Sequence, residues 1–413
     1  MSEDHPLAAR AATMTTSHRG SNQSGMRAFN ERLVLSLLRR HGGLAKSDIA
    51  RLTGLSAQTV SVIMRSLEAD ELLVRGEPVR GRVGQPSVPL SLNPDGAYSI
   101  GLKIGRRSAD LVLVDFLGRI VERAHVSYAF PTPADTVAFV RAVVPGFTER
   151  LGPRVDRIAG FGIAMPFEIW NWAEEVGAPG HAMDAWREFD VGEAIGQFCP
   201  WPVYIQNDAT AACGAELVFG GHGGLQDFVY FYVGTFVGGG VVLNGSLYAG
   251  RTGNAGALGS MPVPGPDGRP VQLIDVASLV VLEWRLKADG IDPAPLWSSD
   301  ADWRGFEGQA EQWLQPAAAA LAHAIVAATS VIDFEVAMID GGFPADIRAR
   351  LVAATAAAFS RLDLQGIALP RLKAGSIGPI ARALGGASLP LFDRYLIDQN
   401  TLMRETPDRS ARS

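Results

Sequence analysis

Cysteine is nearly absent: Cys199 and Cys213 are the only two in 413 residues. Two isolated thiols make no disulfide framework, and without a Cys-x-x-Cys pair they build no zinc cage. Charged residues are sparse at 19%, against 47% apolar, a balance that fits a folded soluble chain. An apolar leader segment is also missing. Residues 1–27 are rich in Ser, Thr, Ala and Arg, which reads as a disordered tail and not a signal peptide. The most apolar long run, 317–332, is broken by His323, Thr329 and Ser330. It reads as a buried or interface helix, not a membrane span. The expectation is a cytoplasmic protein with no membrane partner.

The formal net charge of −6 hides an asymmetry. Residues 1–95 carry 12 Lys and Arg against 9 Asp and Glu, while the remainder carries 25 against 34. A basic front on an acidic body suggests an N-terminal module with an anionic partner.

That module has a legible pattern. Leu33, Leu37 and Leu38 recur at helical spacing in 29–41, and Gly42-Gly43 ends the helix. Ser47 is placed to cap a short helix bearing Ile49, Ala50 and Leu52, which Gly54 closes. Ser56 caps a longer one over 57–70 with Val60, Ile63, Met64 and Leu67 on its apolar face. Two helices joined by a tight Gly-containing turn make a helix-turn-helix. The outer side of the second helix shows Gln58, Thr59, Ser61, Val62 and Arg65, of the right length for base edges and phosphates. Two short apolar runs, 72–74 and 88–92, then bracket a tip with Arg80, Arg82 and Gln85. Arginines on a Gly-flexible wing suit a phosphate track or a minor groove. The candidate DNA contacts are therefore Ser47, Ser56, Gln58, Thr59, Ser61, Arg65, Arg80, Arg82 and Gln85. The alternative is a helical docking module with solvated arginines. The module spans 28–95.

From Tyr98 the pattern changes to short strands joined by Gly turns, then helices. Strands are expected over 100–105, 109–115, 118–121, 157–164 and 203–208, with helices over 133–150 and 209–218. A second set follows: strands at 228–233 and 237–243, a type I′ turn at Asn244-Gly245, a helix over 317–333 and a strand over 336–342. Two strand-meander-plus-helix halves, 98–210 and 211–385 within a body of 96–400, leave a cleft between two α/β lobes.

GFGIAMP at 160–166, QNDATAA at 206–212, VGTFVGGGVVLNGSLYAGRTGNAGALGS at 233–260 and AMIDGG at 337–342 follow the winged module in this order. Together they resemble the ROK family of repressors, open reading frames and sugar kinases, and its repressor branch in particular. The resemblance implies an α/β fold: an N-terminal winged helix-turn-helix followed by a two-lobed, actin-like sugar-kinase body. It also implies a homodimer or higher homo-oligomer on operator DNA, with a sugar or sugar phosphate as effector.

Position by position, the resemblance places Lys103 where the kinases carry a metal-handling Asp, so a magnesium ion would meet a like charge. Arg106 and Arg107 beside it either hold an anion or are surface charge. Asn207 and Asp208 match the pair that contains the catalytic base. Here they are expected to bind sugar hydroxyls, and Asp208 either joins in that or caps the following helix. Gly234-Thr235 opens the phosphate-type loop, in which Phe236 crowds a nucleotide. Gly162 and Gly256 complete the ligand set. The family's sugar-binding Glu and its ligand His fall on Ala257 and Ser260, the next Glu position falls on Ile274, and its zinc cysteines have no counterpart. No catalytic residue, cofactor or metal is expected. The reading is a transcriptional regulator of carbohydrate genes without kinase activity. The alternatives are a regulator sensing a non-sugar metabolite or a protein, and a sugar kinase carrying a DNA module.

Overall fold

The computed structural model describes residues 23–78 and 88–397, apart from 172, 175, 222, 223, 266 and 299–301. The wing tip with Arg80, Arg82 and Gln85 therefore lies outside the described residues, as do residues 1–22 of the expected tail.

Three helices, α1 (Gln23–His41), α2 (Lys46–Thr53) and α3 (Ala57–Ala69), precede an antiparallel pair, β1 (Leu73–Arg75) with β2 (Leu90–Leu92). Helix α1 begins inside the stretch expected to be tail. Arg27 ties that first part to Glu31 and to Ser66 Oγ of α3, both at 2.9 Å. Gly54 takes the left-handed conformation that ends α2, with φ 71°, where a Cβ would be strained. The cap expected at Ser47 falls instead on Ala45, which offers no side-chain acceptor. Leu44 exchanges both backbone hydrogen bonds with Leu90 at 3.0 Å. That bridge holds the chain extended and starts the helix immediately after it.

Lobe one is a five-stranded sheet in the order β5-β4-β3-β6-β7. It contains β3 (Tyr98–Ile104), β4 (Ser108–Asp115), β5 (Ile120–Ser127), β6 (Ile158–Ala164) and β7 (Val203–Gln206), with α4 (Pro133–Leu151) between β5 and β6. Helix α5 (Asp208–Phe219) follows. Lobe two repeats the topology: β8 (Phe228–Val233), β9 (Val237–Leu243), β10 (Ser246–Leu247), β13 (Val336–Gly341) and β14 (Arg371–Ala374) lie in the order β10-β9-β8-β13-β14. In each sheet three antiparallel strands form a meander, and two parallel strands add on the far side of the first. Asn244 and Gly245 both have positive φ, 54° and 69°, as a type I′ hairpin requires. A small ribbon, β11 (Pro262–Pro264) with β12 (Pro270–Gln272), precedes α6 (Leu279–Ala288). Helix α7 (Glu307–Val331) runs through Pro316 and so starts well before the expected 317; Trp313, Leu321 and Ile325 sit in the lobe-two core. Helix α8 (Ala345–Ala358) covers β13 and β14.

The last helix, α9 (Ala381–Tyr395), corrects the expected lobe boundary. It leaves lobe two and packs on β3, β6 and α5. Small residues make this possible: a Cβ on Gly162 would lie 1.8 Å from Gly386 O, and one on Gly385 would lie 2.1 Å from Ala211 O. Gly162 is thus a packing glycine between β6 and α9.

The winged module is seated on lobe one through one shared apolar core, in which Leu35, Leu38 and Met64 meet Val114, Phe116 and Leu391. Arg39 is half-buried there, with its Nε fully enclosed. It donates to Phe116 O and lies 5.3 Å and 5.4 Å from the ring centroids of Phe116 and Phe219. Burial pushes its pKa down to about 10, opposed by Asp115.

Candidate ligand cleft and nucleic-acid interface

The cleft is built around the turn from β3 to β4. Gly105 N donates to Ser108 O at 3.0 Å and closes that turn. Lys103, only 4% exposed, projects under it. Its Nζ donates to Ser108 Oγ at 2.6 Å and approaches Asp110 Oδ2 at 3.3 Å. Asp110 also meets His125 Nδ1 at 2.7 Å and Arg123 Nη2 at 3.1 Å through its other oxygen. Burial opposes ionisation of Asp110, but Lys103 beside it and the hydrogen bonds from His125 and Arg123 outweigh burial together, so the carboxyl is held well below the usual carboxylate range. Burial, then the nearby charge of Arg382, push Lys103 down to about 8 against the pull of Asp110.

The two arginines at the tip face lobe two and are not surface charge. Arg106 lies 4.7 Å from the centroid of the Phe236 ring. Arg107 makes a two-pronged contact with Glu283 of α6, at 2.6 Å and 3.2 Å, and donates to Ala129 O and Val176 O. Both side chains of that pair are buried. The hairpin tip of lobe one is thereby fastened to lobe two. Sequence reasoning missed Glu283, since nothing local marks it out in α6.

Asn207, and not Asp208, caps α5: its Oδ1 accepts from Ala209 N at 3.1 Å and Thr210 N at 3.2 Å. Asp208 is free of that duty and is paired with Arg382 of α9 at 3.0 Å. Arg382 also lies 4.9 Å from the Tyr232 ring centroid. It was not among the expected site residues, because 174 residues separate it from Asp208. Gly234 and Thr235 line the cavity together with Lys103, Arg123, His125 and Arg382, so two of the expected ligand residues meet here.

The loop carrying Ala257 and Ser260 does not supply polar groups to this cavity. Gly256 has φ 83°, and a Cβ on it would fall 2.6 Å from Gly240 Cα. Leu258 is buried, while Ala257 and Ser260 are exposed. Gly256 therefore serves a turn seated on β9. Among the described residues no three His, Cys, Asp or Glu gather to hold a metal. Cys199 and Cys213 are both buried, and burial pushes both thiols up, Cys199 to about 11, while segment 267–275 contains no cysteine. These residues do not fit a zinc site, and Lys103 does not fit a magnesium nucleotide.

On the module's far face, Ser56 Oγ accepts from Thr59 N at 3.1 Å and caps α3. Val60, Ile63, Met64 and Leu67 are buried, while Gln58, Val62 and Arg65 are exposed and Thr59 and Ser61 half-buried. The Thr59 hydroxyl is already shared with Ser56 at 2.8 Å. Ser47 is exposed on α2. The face of α3 offered outward is thus polar with one apolar residue, the surface a major-groove helix needs.

Comparison with known proteins agrees with both halves. Residues 99–273 match the ROK family model and residues 28–82 the MarR family model. The chain is 26% identical over 381 residues to uncharacterized protein y4fQ of Sinorhizobium fredii, covering 89% of this chain and 92% of that protein. It is 26% identical over 243 residues to the xylose repressor of Bacillus spizizenii, covering 59% of this chain and 62% of the repressor. Among solved structures, a ROK family transcriptional regulator described as a homologue of the Escherichia coli MLC protein superposes with a TM-score of 0.64 at 20% identity, over 92% of this chain and 98% of that one.

Proposed function

We propose that the chain is a ROK-type regulator, a sequence-specific transcriptional repressor of carbohydrate-use genes, on the match of residues 99–273 to the ROK family model behind a MarR-like segment at 28–82. The observation that carries this reading is the outward face of α3, with Gln58, Val62 and Arg65 exposed on a helix whose other face is core. The similarity to a xylose repressor supports a sugar-responsive role. The body senses a small ligand and has no kinase activity. Its would-be base, Asp208, is held by Arg382, and its would-be metal position is Lys103. The protein acts in the cytoplasm as a homodimer on a two-fold operator.

A second reading, a sensor of a non-sugar metabolite, is favoured by one feature: Ala257 and Ser260 bring neither a carboxylate nor an imidazole to the ligand loop. The test is a mobility shift with the DNA upstream of the gene, run beside an ATP-to-ADP assay with hexoses. A specific shift and no turnover support the repressor reading; turnover with any hexose overturns its non-enzymatic part.

A further inference from the structure

Contacts made by the chain's own residues cross from one lobe to the other beside the cleft. Arg107, at the β3–β4 tip of lobe one, reaches Glu283 of α6 in lobe two through Nη2 at 2.6 Å and Nε at 3.2 Å. Its Nη1 donates to Ala129 O and Val176 O at 2.5 Å and 2.7 Å, and its guanidinium lies 5.9 Å from the Trp297 ring centroid. The Arg107 side chain is 8% exposed and that of Glu283 is 2% exposed. A buried ion pair repays its desolvation when the geometry is two-pronged and the remaining donors are satisfied, and both conditions hold here. Phe236 crosses in the other direction. It leaves the β8–β9 turn of lobe two and packs against the core of lobe one. Arg106 lies against that ring, 4.7 Å from its centroid.

We propose that these contacts form a latch that holds the two lobes closed with no ligand bound, so that opening, and not closure, is the regulated step of the body. In a body that closes on its ligand, the ligand supplies the contacts that favour the closed form. Here Glu283 and Phe236 supply them. Parting the lobes withdraws the carboxylate from Arg107 and the ring from an apolar core together. An effector therefore acts by binding the open form better than the closed one. Opening reaches the winged module through Arg40 of α1, which donates to Gly224 O at 3.1 Å in the crossover from α5 to β8. The latch stands on geometry alone, and the role given to opening rests on the reading of the body as a ligand sensor.

The experiment is a distance measurement on the full chain. Spin labels are placed at Ala185→Cys in lobe one and Ala288→Cys in lobe two, both exposed, while the native Cys199 and Cys213 are buried. Pulsed electron resonance records the separation without ligand and with xylose or glucose in excess. Two further variants each loosen one half of the latch. Glu283→Gln keeps the two carbonyl partners of Arg107, and Phe236→Ala leaves the ion pair whole. The expected result is one narrow distance in the wild-type background, not shortened by either sugar, and a population longer by more than about 2 Å in each variant. Lengthening by a sugar supports opening as the regulated step. Lengthening in one variant alone keeps the latch and assigns it to that contact. A wild-type distance that shortens with sugar shows an open body closing on its ligand and overturns the proposal, as does a distance unmoved in both variants. Binding of upstream DNA by the same labelled chains separates the two readings. If no specific binding is seen while the distances behave as expected, the repressor reading falls and the latch stands.

Discussion

Asp208 Oδ2 and Arg382 Nη1 stand 3.0 Å apart, joining the start of α5 to the start of α9, with both side chains largely buried. Asn207 takes the capping role next door, so the carboxylate of Asp208 is committed to an ion pair. Its Oδ2 is occupied by the guanidinium and not offered to the cleft. The pair also fastens α9 over the sheet of lobe one.

Arg382→Ala leaves Asp208 buried and unpaired, which is expected to cost about 3 kcal/mol of stability. Asp208→Asn leaves the buried Arg382 guanidinium without its ion-pair partner, keeps an amide oxygen in reach of it, and is expected to cost a similar or smaller amount. Denaturant unfolding of both variants and of the double mutant checks this. A double mutant whose cost equals the sum of the two single costs would show that the pair carries no coupling.

Lys103 gives a stability effect with a definite sign. Its folded pKa is about 8, against an ordinary 10.5. Below about 8 both folded and unfolded chains are protonated, and the cost of burying the ammonium is fully present. Between about 8 and 10.5 the unfolded chain binds more protons, so the contribution of Lys103 to stability rises with pH. Asp110, Asp208 and Arg382 act on this group. The wild type should therefore gain about 3 kcal/mol over that window relative to Lys103→Met. Parallel unfolding curves at each pH would contradict it.

Ser56 and Ser47 look alike as caps and differ in the structure. Ser56→Ala should cost about 1 kcal/mol and weaken DNA binding by loosening α3. Ser47→Ala should leave stability within about 0.5 kcal/mol. Thermal unfolding of the two variants separates them; equal losses would restore Ser47 as a cap.

Helix α5 begins at Asp208 in the cleft and ends at Phe219, whose ring packs on Arg39 of the winged module. Phe219→Ala should leave DNA binding and ligand binding each measurable while reducing the change that ligand makes in DNA affinity. Titrating ligand against a fixed protein–DNA mixture checks this. An unchanged response would place the coupling elsewhere.

Much of this architecture was legible in the residues. The helix-turn-helix followed from apolar spacing, Gly54 and Ser56, because capping and periodicity are local. The Asn244-Gly245 turn was local too. What was hidden was set by distant partners. Ser47 lost its cap to the bridge between Leu44 and Leu90. Arg382, Glu283 and the return of α9 to lobe one depend on chain segments far apart in sequence. Gly162 was read from its motif as a ligand contact, and its missing Cβ makes room for Gly386. The cap falls on Asn207 and not on Asp208 because β7 ends at Gln206, whose side chain accepts from Asn207 N at 2.8 Å, and Asp208 pairs instead with the distant Arg382.

The central claim is that α3 reads DNA. Fluorescence anisotropy of the full chain with its own upstream DNA and with a scrambled duplex, at moderate salt, tests it most directly. The account predicts preference for the upstream duplex, a loss of about 1–3 kcal/mol with Gln58→Ala and weaker binding with Arg65→Ala. Equal affinity for both duplexes, with neither variant changing it, would contradict the account.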